Sequence, residues 1–558
     1  MRKLLLSSLA CVLTAFTMAA GRVSERVYVS TDKDVYLSGE TIWFSAFCVD
    51  PSKGGLSDAS SVAYLEISSS DGVLLTGKIA LVGGRGSGAL QLPLTTPTGN
   101  YSVLAYTAAS RGRDDLMNDS RTVSVLNTSS SVRVKGGVEI IDTEVIERQA
   151  APTGRSFGSV SVLAAQRASS STVSVVGLRN DMPSKVTLSL SVCLDDGLPA
   201  PSATDLRSFL AMPYSGFKGE ASDKEGETFR GKLIGQDSGT VLKDGLIAVV
   251  AFPGHAQDVY AGRISADGTV SFVTGNVHGN RDMVCEILGQ DESTDCRLVI
   301  DQPYLNVKAA DIPPLRLSRS FESALLRRHQ LSRSSSRAVP DTLFEFLPKR
   351  SGLFLPDDHC RRFHLDDYNR FPTIRETLIE ITPGLRIRKG MDGKTQIQTR
   401  LEGVIKDNTE YSGNMLVLID GVPVKDVDRL LEFDPYLLSD ILVYPYSYSF
   451  GESIFNGVVD FVTKKGDISS FKFDKNVVIV DWQGACYPVA LTCSGMGPDV
   501  NDTRSTLYWH PSLELAPGER LDIQVMTPSY QGRFRIVAEG LSADGIPFRS
   551  ESFLDVAK

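Results

Sequence analysis

Two histidines and a cysteine fall within six residues, at His359, Cys360 and His364. Imidazole and thiolate together are a donor set for a soft divalent cation, but a structural site needs a fourth ligand and closing partners nearby. Arg361 and Arg362 sit inside the run and oppose a cation. His255 follows Pro253-Gly254 alone, as a turn residue would. Paired carboxylates occur at Asp195-Asp196 and Asp357-Asp358, in loop-like sequence where solvated charge is the ordinary state. Gly84-Arg-Gly-Ser-Gly88 is rich enough in glycine to cradle a phosphate, yet it lies between strand patterns and opens no helix, so a turn is expected. The chain has no Gly-x-Ser-x-Gly, no His-Glu-x-x-His and no phosphate-loop motif. Six histidines in 558 residues leave little general-base capacity. The expectation is no catalytic residue, no metal and no cofactor.

The remaining cysteines are equally unpromising for chemistry. Beyond Cys11 they stand at 48, 193, 285, 296, 360, 486 and 493, dispersed and odd in number, with no Cys-x-x-Cys. Cys285 with Cys296, or Cys486 with Cys493, could close short loops; buried single thiols are the other reading.

The elements that would hold any site are mostly strands. Glycine is abundant, net charge is −9, and apolar and charged contents of 42% and 22% are those of a folded chain. No basic field favours nucleic acid. Arg2 and Lys3 precede an apolar run from Leu4 to Ala15, and small residues follow through Ala20. That order reads as a secretory signal over residues 1–20. Lipidation at Cys11 fits poorly, and no later stretch is long and apolar enough to span a bilayer as a helix.

Residues 21–128 alternate as a β-sandwich, with a hairpin signal at Ser70-Asp71-Gly72. The order Thr31-Asp-Lys, Tyr36, Gly39-Glu40-Thr-Ile-Trp-Phe44, then Gly99-Asn-Tyr, Val103 and Ala105-Tyr106 resembles the macroglobulin-type domain of α-2-macroglobulins and bacterial relatives. In that resemblance Glu40 is a turn carboxylate and Trp43 a core aromatic. Residues 129–225 read as a second, less regular β-domain. Residues 226–302, with the Ala266-Asp267-Gly268 turn, resemble the small transthyretin-like, carboxypeptidase-regulatory sandwich. Residues 303–372 read as a helix from Ser318 to Arg333 with a solvated basic face, then a serine-rich linker over Ser332 to Arg337.

Residues 373–466 carry the most ordered set of signals. Thr373 with Glu376 has capping-box spacing, Pro383-Gly384 ends the helix, and Asp392-Gly393 and Asp420-Gly421 mark hairpins. A short helix is expected from Asp426 to Phe433. Gly451 and Gly457 bracket the last approach to the strand Val458 to Thr463. This order resembles the plug domain of TonB-dependent outer-membrane receptors, with Pro383, Gly384, Asp420, Gly421, Gly451 and Gly457 as its structural motif. The 93 residues after Lys465 are too few for the barrel that follows a plug in those receptors. Residues 467–558 read as a C-terminal Ig-like sandwich that either stands alone or folds with 129–225.

The fold expected is therefore mainly β and multidomain, with Ig-like and macroglobulin-type sandwiches in tandem plus one small α+β plug-like domain. The combination is similar to cell-envelope proteins of Bacteroidota. It implies an exported, non-enzymatic protein, periplasmic or at the outer membrane, whose sandwiches present the plug-like module to an outer-membrane or surface protein or to an envelope ligand, as in a transport accessory. A protease-interacting macroglobulin relative is the alternative. Its thioester would need a Cys-Gly-Glu-Gln signature, and Gly484-Ala-Cys486-Tyr487 lacks the glutamine partner. An envelope hydrolase is the remaining alternative.

Overall fold

Strands pair across hundreds of residues in this chain. The computed structural model describes residues 24–141, 156–164, 166–202, 204–215, 222–235, 246–254, 259–275, 277–288, 296–309, 311–338, 344–346, 360–390, 393–401, 415–450, 453–473, 477–492 and 501–557. The expected secretory signal, Cys11, His255, His359, Asp357-Asp358, Asp392 and Gly451 lie outside the described residues. The protein is mainly β, in several sheets, and among the described residues no helix is long and apolar enough to cross a membrane.

The first sandwich sets a sheet built on Thr41–Asp50, flanked by Arg26–Thr31 and Arg85–Gln91, against a five-stranded sheet. The latter runs in the order Val35–Leu37, Arg121–Leu126, Gly99–Tyr106, Val62–Ser69, Gly72–Ala80. Alternation along these strands buries Val27, Phe44, Leu65, Tyr101 and Val123 between the sheets. Gly84 takes a φ of +75°, and a Cβ there would lie 2.5 Å from the Ser57 carbonyl oxygen, so the glycine-rich run is a turn into Arg85–Gln91.

The second sandwich is composite. Val173–Asn180 pairs antiparallel with Arg520–Met526, and Val186–Leu194 lies between Thr506–Leu515 and Gly532–Ser542. One core joins Leu188, Leu190 and Val192 to Phe534, Ile536 and Phe548. Strands from the segments read above as 129–225 and 467–558 thus close one unit. The physical reason is that strands from either segment alone leave one sheet face without a cover.

Between those strands the chain makes two further units. An inner sandwich faces Thr269–Thr274, Glu227–Gly235 and Cys296–Ile300 with Val259–Arg263, Ile247–Ala251 and Asn280–Leu288. It takes a last strand, Val478–Gln483, from beyond the boundary expected at residue 302. Trp482 on that strand packs against Phe229 and Phe252. The mixed unit has the sheet order Arg361–His364, Leu438–Phe450, Ser453–Thr463, Leu416–Ile419, Val422–Pro423. Helices Ile374–Ile381 and Val427–Leu431 and the hairpin Leu385–Lys389 with Thr395–Thr399 complete it. Its core extends from Leu365 to Phe471, wider than the 373–466 read from sequence.

The segment joining the inner sandwich to the mixed unit contains a helix, Glu322–Ala338, so the serine-rich stretch Ser332 to Arg337 is helical rather than a linker. Phe321, Ala324 and Leu325 pack on Leu37, Leu126 and Leu198, and that contact supports a helix that its serines alone would not.

Candidate functional site

The mixed unit begins with its cap. Thr373 Oγ1 accepts from the Glu376 amide at 3.2 Å and donates to the Glu376 carboxylate at 2.9 Å, starting the helix Ile374–Ile381. Pro383 follows the helix, and Gly384 at φ +95° turns the chain into Leu385–Lys389. At the next hairpin Asp420 and Gly421 have φ of +47° and +77°, as a type I′ turn requires. The Asp420 carboxylate accepts from the Thr463 amide (2.7 Å), the Thr463 hydroxyl (2.6 Å) and the Ile468 amide (3.2 Å). Its backbone carbonyl accepts from the Gly254 amide of the inner sandwich at 2.8 Å. Val422 and Ile468 pack there on Ala251 and Val284. Gly421 N–H donates to Asp460 at 3.1 Å. Burial, with the nearby Asp420 charge, pushes the Asp460 carboxyl up to about 7. Gly457 at φ +99° would place a Cβ 2.8 Å from Thr399. Of the six motif residues, Gly384, Asp420, Gly421 and Gly457 therefore serve backbone geometry, Pro383 stands at the helix end, and Gly451 is outside the described residues. The Asp420 turn also docks the unit on its neighbour.

The metal reading meets a specific obstacle. His364 Nδ1 lies 3.1 Å from Asp440 Oδ1, and Arg362 Nε donates to the same oxygen at 2.8 Å. Burial raises the Asp440 carboxyl, but these hydrogen bonds outweigh it and hold it below its ordinary value. Among the described residues no group of three or more His, Cys, Asp or Glu side chains is placed to hold a metal ion.

A second polar constellation lies where the first sandwich meets the composite one. Asp32 accepts from Tyr36 Oη (2.6 Å), Thr506 Oγ1 (2.8 Å), Lys33 Nζ (3.1 Å) and the Trp43 amide (3.2 Å). Glu40 accepts from the Leu37 amide and from Arg328 Nε and Nη2, both at 3.1 Å. Arg328 Nη1 reaches Asp196 at 2.8 Å. Tyr28 and Ser30 donate to Glu539. Arg328 is 3% exposed at its side chain, so the helix face read as solvated carries a buried cation. Glu40 does more than shape a turn, since it ties the helix to the first sandwich. Trp43 packs against Trp509, Val489 and Leu491 at the seam. The first and inner sandwiches meet through Lys78, 2.7 Å from Glu227 and 3.6 Å from the Trp482 ring centroid.

Burial favours the protonated form of the thiols at Cys193, Cys285 and Cys486. Burial, aided by Asp32, pushes Cys193 up to about 12, and burial alone does the same for Cys285. Cys486 is pushed up to about 11 by burial, and its amide donates to the Lys78 carbonyl. Cys285 and Cys486 are free thiols, so neither closes the short loop considered for it. Sequence reasoning missed Lys33, Arg121, Arg328, Arg535 and Glu539 as joint residues. Lys33 and Arg328 lay in runs that had been singled out, Arg328 as part of a solvated face, and nothing local marks any of the five as a joint residue.

No family model matches the chain, and no curated protein matches its sequence. Solved structures similar to it include native E. coli alpha-2-macroglobulin, at 10% identity and a TM-score of 0.25, over 97% of this chain and 40% of that one. Salmonella alpha-2-macroglobulin reacted with methylamine is similar at 11% identity and a TM-score of 0.24, over 98% and 40%. The E. coli adhesin FdeC is similar at 11% and 0.15, over 50% and 64%. The chain thus spans about two fifths of the macroglobulin structures it matches. The description of the fold rests on the strand pairings above, independently of these likenesses.

Proposed function

We propose that this is an exported, non-enzymatic binding protein of the bacterial cell envelope. Its sandwiches hold the mixed unit, which is similar to a TonB-receptor plug, for contact with an outer-membrane or surface protein or an envelope ligand. The observation supporting this reading is the one-sided anchoring of that unit. Its Asp420 turn is committed to the inner sandwich. Large apolar side chains stay exposed on other segments: Tyr368, Ile379, Tyr436, Leu437 and Ile454 are 40–73% accessible. A partner seated on these segments would bury those side chains.

The test is recovery of a partner from solubilised outer membranes by the full chain and by the Ile379→Lys/Tyr436→Ser double variant. The expected result is a specific partner lost with the double variant while its melting temperature is unchanged. Recovery that is the same for both proteins would overturn the proposal.

A further inference from the structure

The first and composite sandwiches do not close completely along their seam. A cleft of about 560 Å³ opens between them, within the ~300–1,000 Å³ range of small-ligand sites. The strands that line it present small hydroxyls, Ser30 on Arg26–Thr31 and Ser189 and Ser191 on Val186–Leu194. The turn at residues 195–202, with Pro199 and Pro201, lines it as well.

Five guanidinium groups, Arg121, Arg316, Arg328, Arg535 and Arg549, line the same cleft with Lys33, against the carboxylates of Asp32, Asp34, Asp195, Asp196 and Glu551. Asp34 lies 2.5 Å from Arg121 and 3.4 Å from Arg535, and Glu551 takes Arg535 at 2.7 and 3.1 Å. Those contacts leave donors over. Arg549 Nη1 is 3.3 Å from Glu539 and its Nη2 is 4.0 Å from Glu551, separations of ion pairs rather than of a bidentate fork. Arg121 Nε is buried with no hydrogen-bond partner, and so is Nε1 of Trp509, another lining residue. Both of those atoms are buried in the wall and out of an occupant's reach, so the donors that an occupant meets are those of Arg549, whose side chain is 12% exposed. A planar guanidinium with free N–H groups is matched to a carboxylate.

We infer that this cleft binds a small carboxylate-bearing ligand, with Arg549 supplying the fork to the carboxylate. The site lies on the first and composite sandwiches and is independent of the mixed unit. The serine-lined walls leave room for a short polar stem behind the carboxylate.

The experiment is calorimetric titration of the full chain with acetyl-Ala-Ala, its C-terminal amide, and succinate. Acetyl-Ala-Ala represents a peptide terminus and succinate a free organic acid, and the tighter of the two identifies the source. The expected result is that one acid binds at least about tenfold tighter than the amide, a difference of about 1.4 kcal/mol. Arg549→Gln weakens that binding by a similar factor. Ala200→Trp, which fills the cleft and leaves every arginine in place, abolishes it while the melting temperature stays within the spread of the unsubstituted protein. Equal binding of acid and amide, binding unaffected by Ala200→Trp, or no binding of either acid at concentrations of about 10 mM would each overturn the inference.

Discussion

Two joints in this molecule are built from opposite materials. The seam between the first and composite sandwiches is charged, with Asp32, Glu40, Asp196 and Glu539 on one side of the ledger of charge and Lys33, Arg121, Arg328 and Arg535 on the other. The joint between the inner sandwich and the mixed unit is apolar, fastened by Val422 and Ile468 and one backbone hydrogen bond to Asp420. A charged seam is specific because removing one partner strands the others in low dielectric. An apolar joint loses only buried area when disturbed. The first kind fixes two units in a single geometry, and the second seats a unit whose identity is set by its own fold.

The largest expected effect comes from breaking the seam. Arg328→Met removes three charge-assisted hydrogen bonds and leaves Asp196 without its cation and Glu40 with Lys33 alone. Breaking a buried ion network by one partner costs about 3–5 kcal/mol. Hydrogen exchange should show that loss in Thr506–Leu515 and little change in the mixed unit. A loss below about 1 kcal/mol, the range of exposed pairs, would show the seam to be solvated.

The seam and the mixed unit should also respond to pH with opposite sign. Burial raises Glu40 and Asp34, but Arg328 and Lys33 for the one and Arg121 and Arg535 for the other outweigh it, so both carboxyls lie below their ordinary values. Their contribution is present above the unfolded carboxylate range and is lost as pH falls below about 4. Asp460 is the reverse case, raised to about 7. Between pH about 4 and about 7 the unfolded chain has released that proton while the folded unit retains it, so stability falls as pH rises. Asp460→Asn keeps an acceptor for Gly421 and abolishes the ionisation. It should stabilise the mixed unit by up to about 4 kcal/mol at pH 8 and by little at pH 4. Exchange protection of Leu416–Ile419 and Ser453–Thr463 at the two pH values measures this. Equal effects at both would remove Asp460 from the pH response.

What the sequence made legible follows the same division. The mixed unit is assembled from short-range devices: a Thr-x-x-Glu cap, a Pro-Gly stop, and the Asp420-Gly421 turn, whose backbone dihedrals few other pairs adopt. These were readable, as was the first sandwich, whose strands are all contiguous in the chain. The composite sandwich was not, because Val173–Asn180 finds its partner about 350 residues on, at Arg520–Met526, and alternation states that a strand has a buried face but not which strand covers it. Val478–Gln483 shows the same limit, since nothing local says that it returns to the inner sandwich. Arg328 was read as solvated because helix periodicity places a cation on a face without revealing that Glu40 and Asp196 wait there.

The smallest effect tests the local side of that division. In Thr373→Ala the Glu376 amide loses its side-chain acceptor and the Glu376 carboxylate loses the Thr373 hydroxyl. N-cap removal costs about 1 kcal/mol. Thr377 and Leu378, buried one turn further on, keep their packing, so the helix should fray at its first turn without leaving the core. Faster exchange limited to the amides of residues 374–377, with Leu438–Phe450 unchanged, is the expected signature. If the whole mixed unit lost protection, the cap would be part of its cooperative core, and the unit would be held by its local motifs as firmly as the seam is held by its charges.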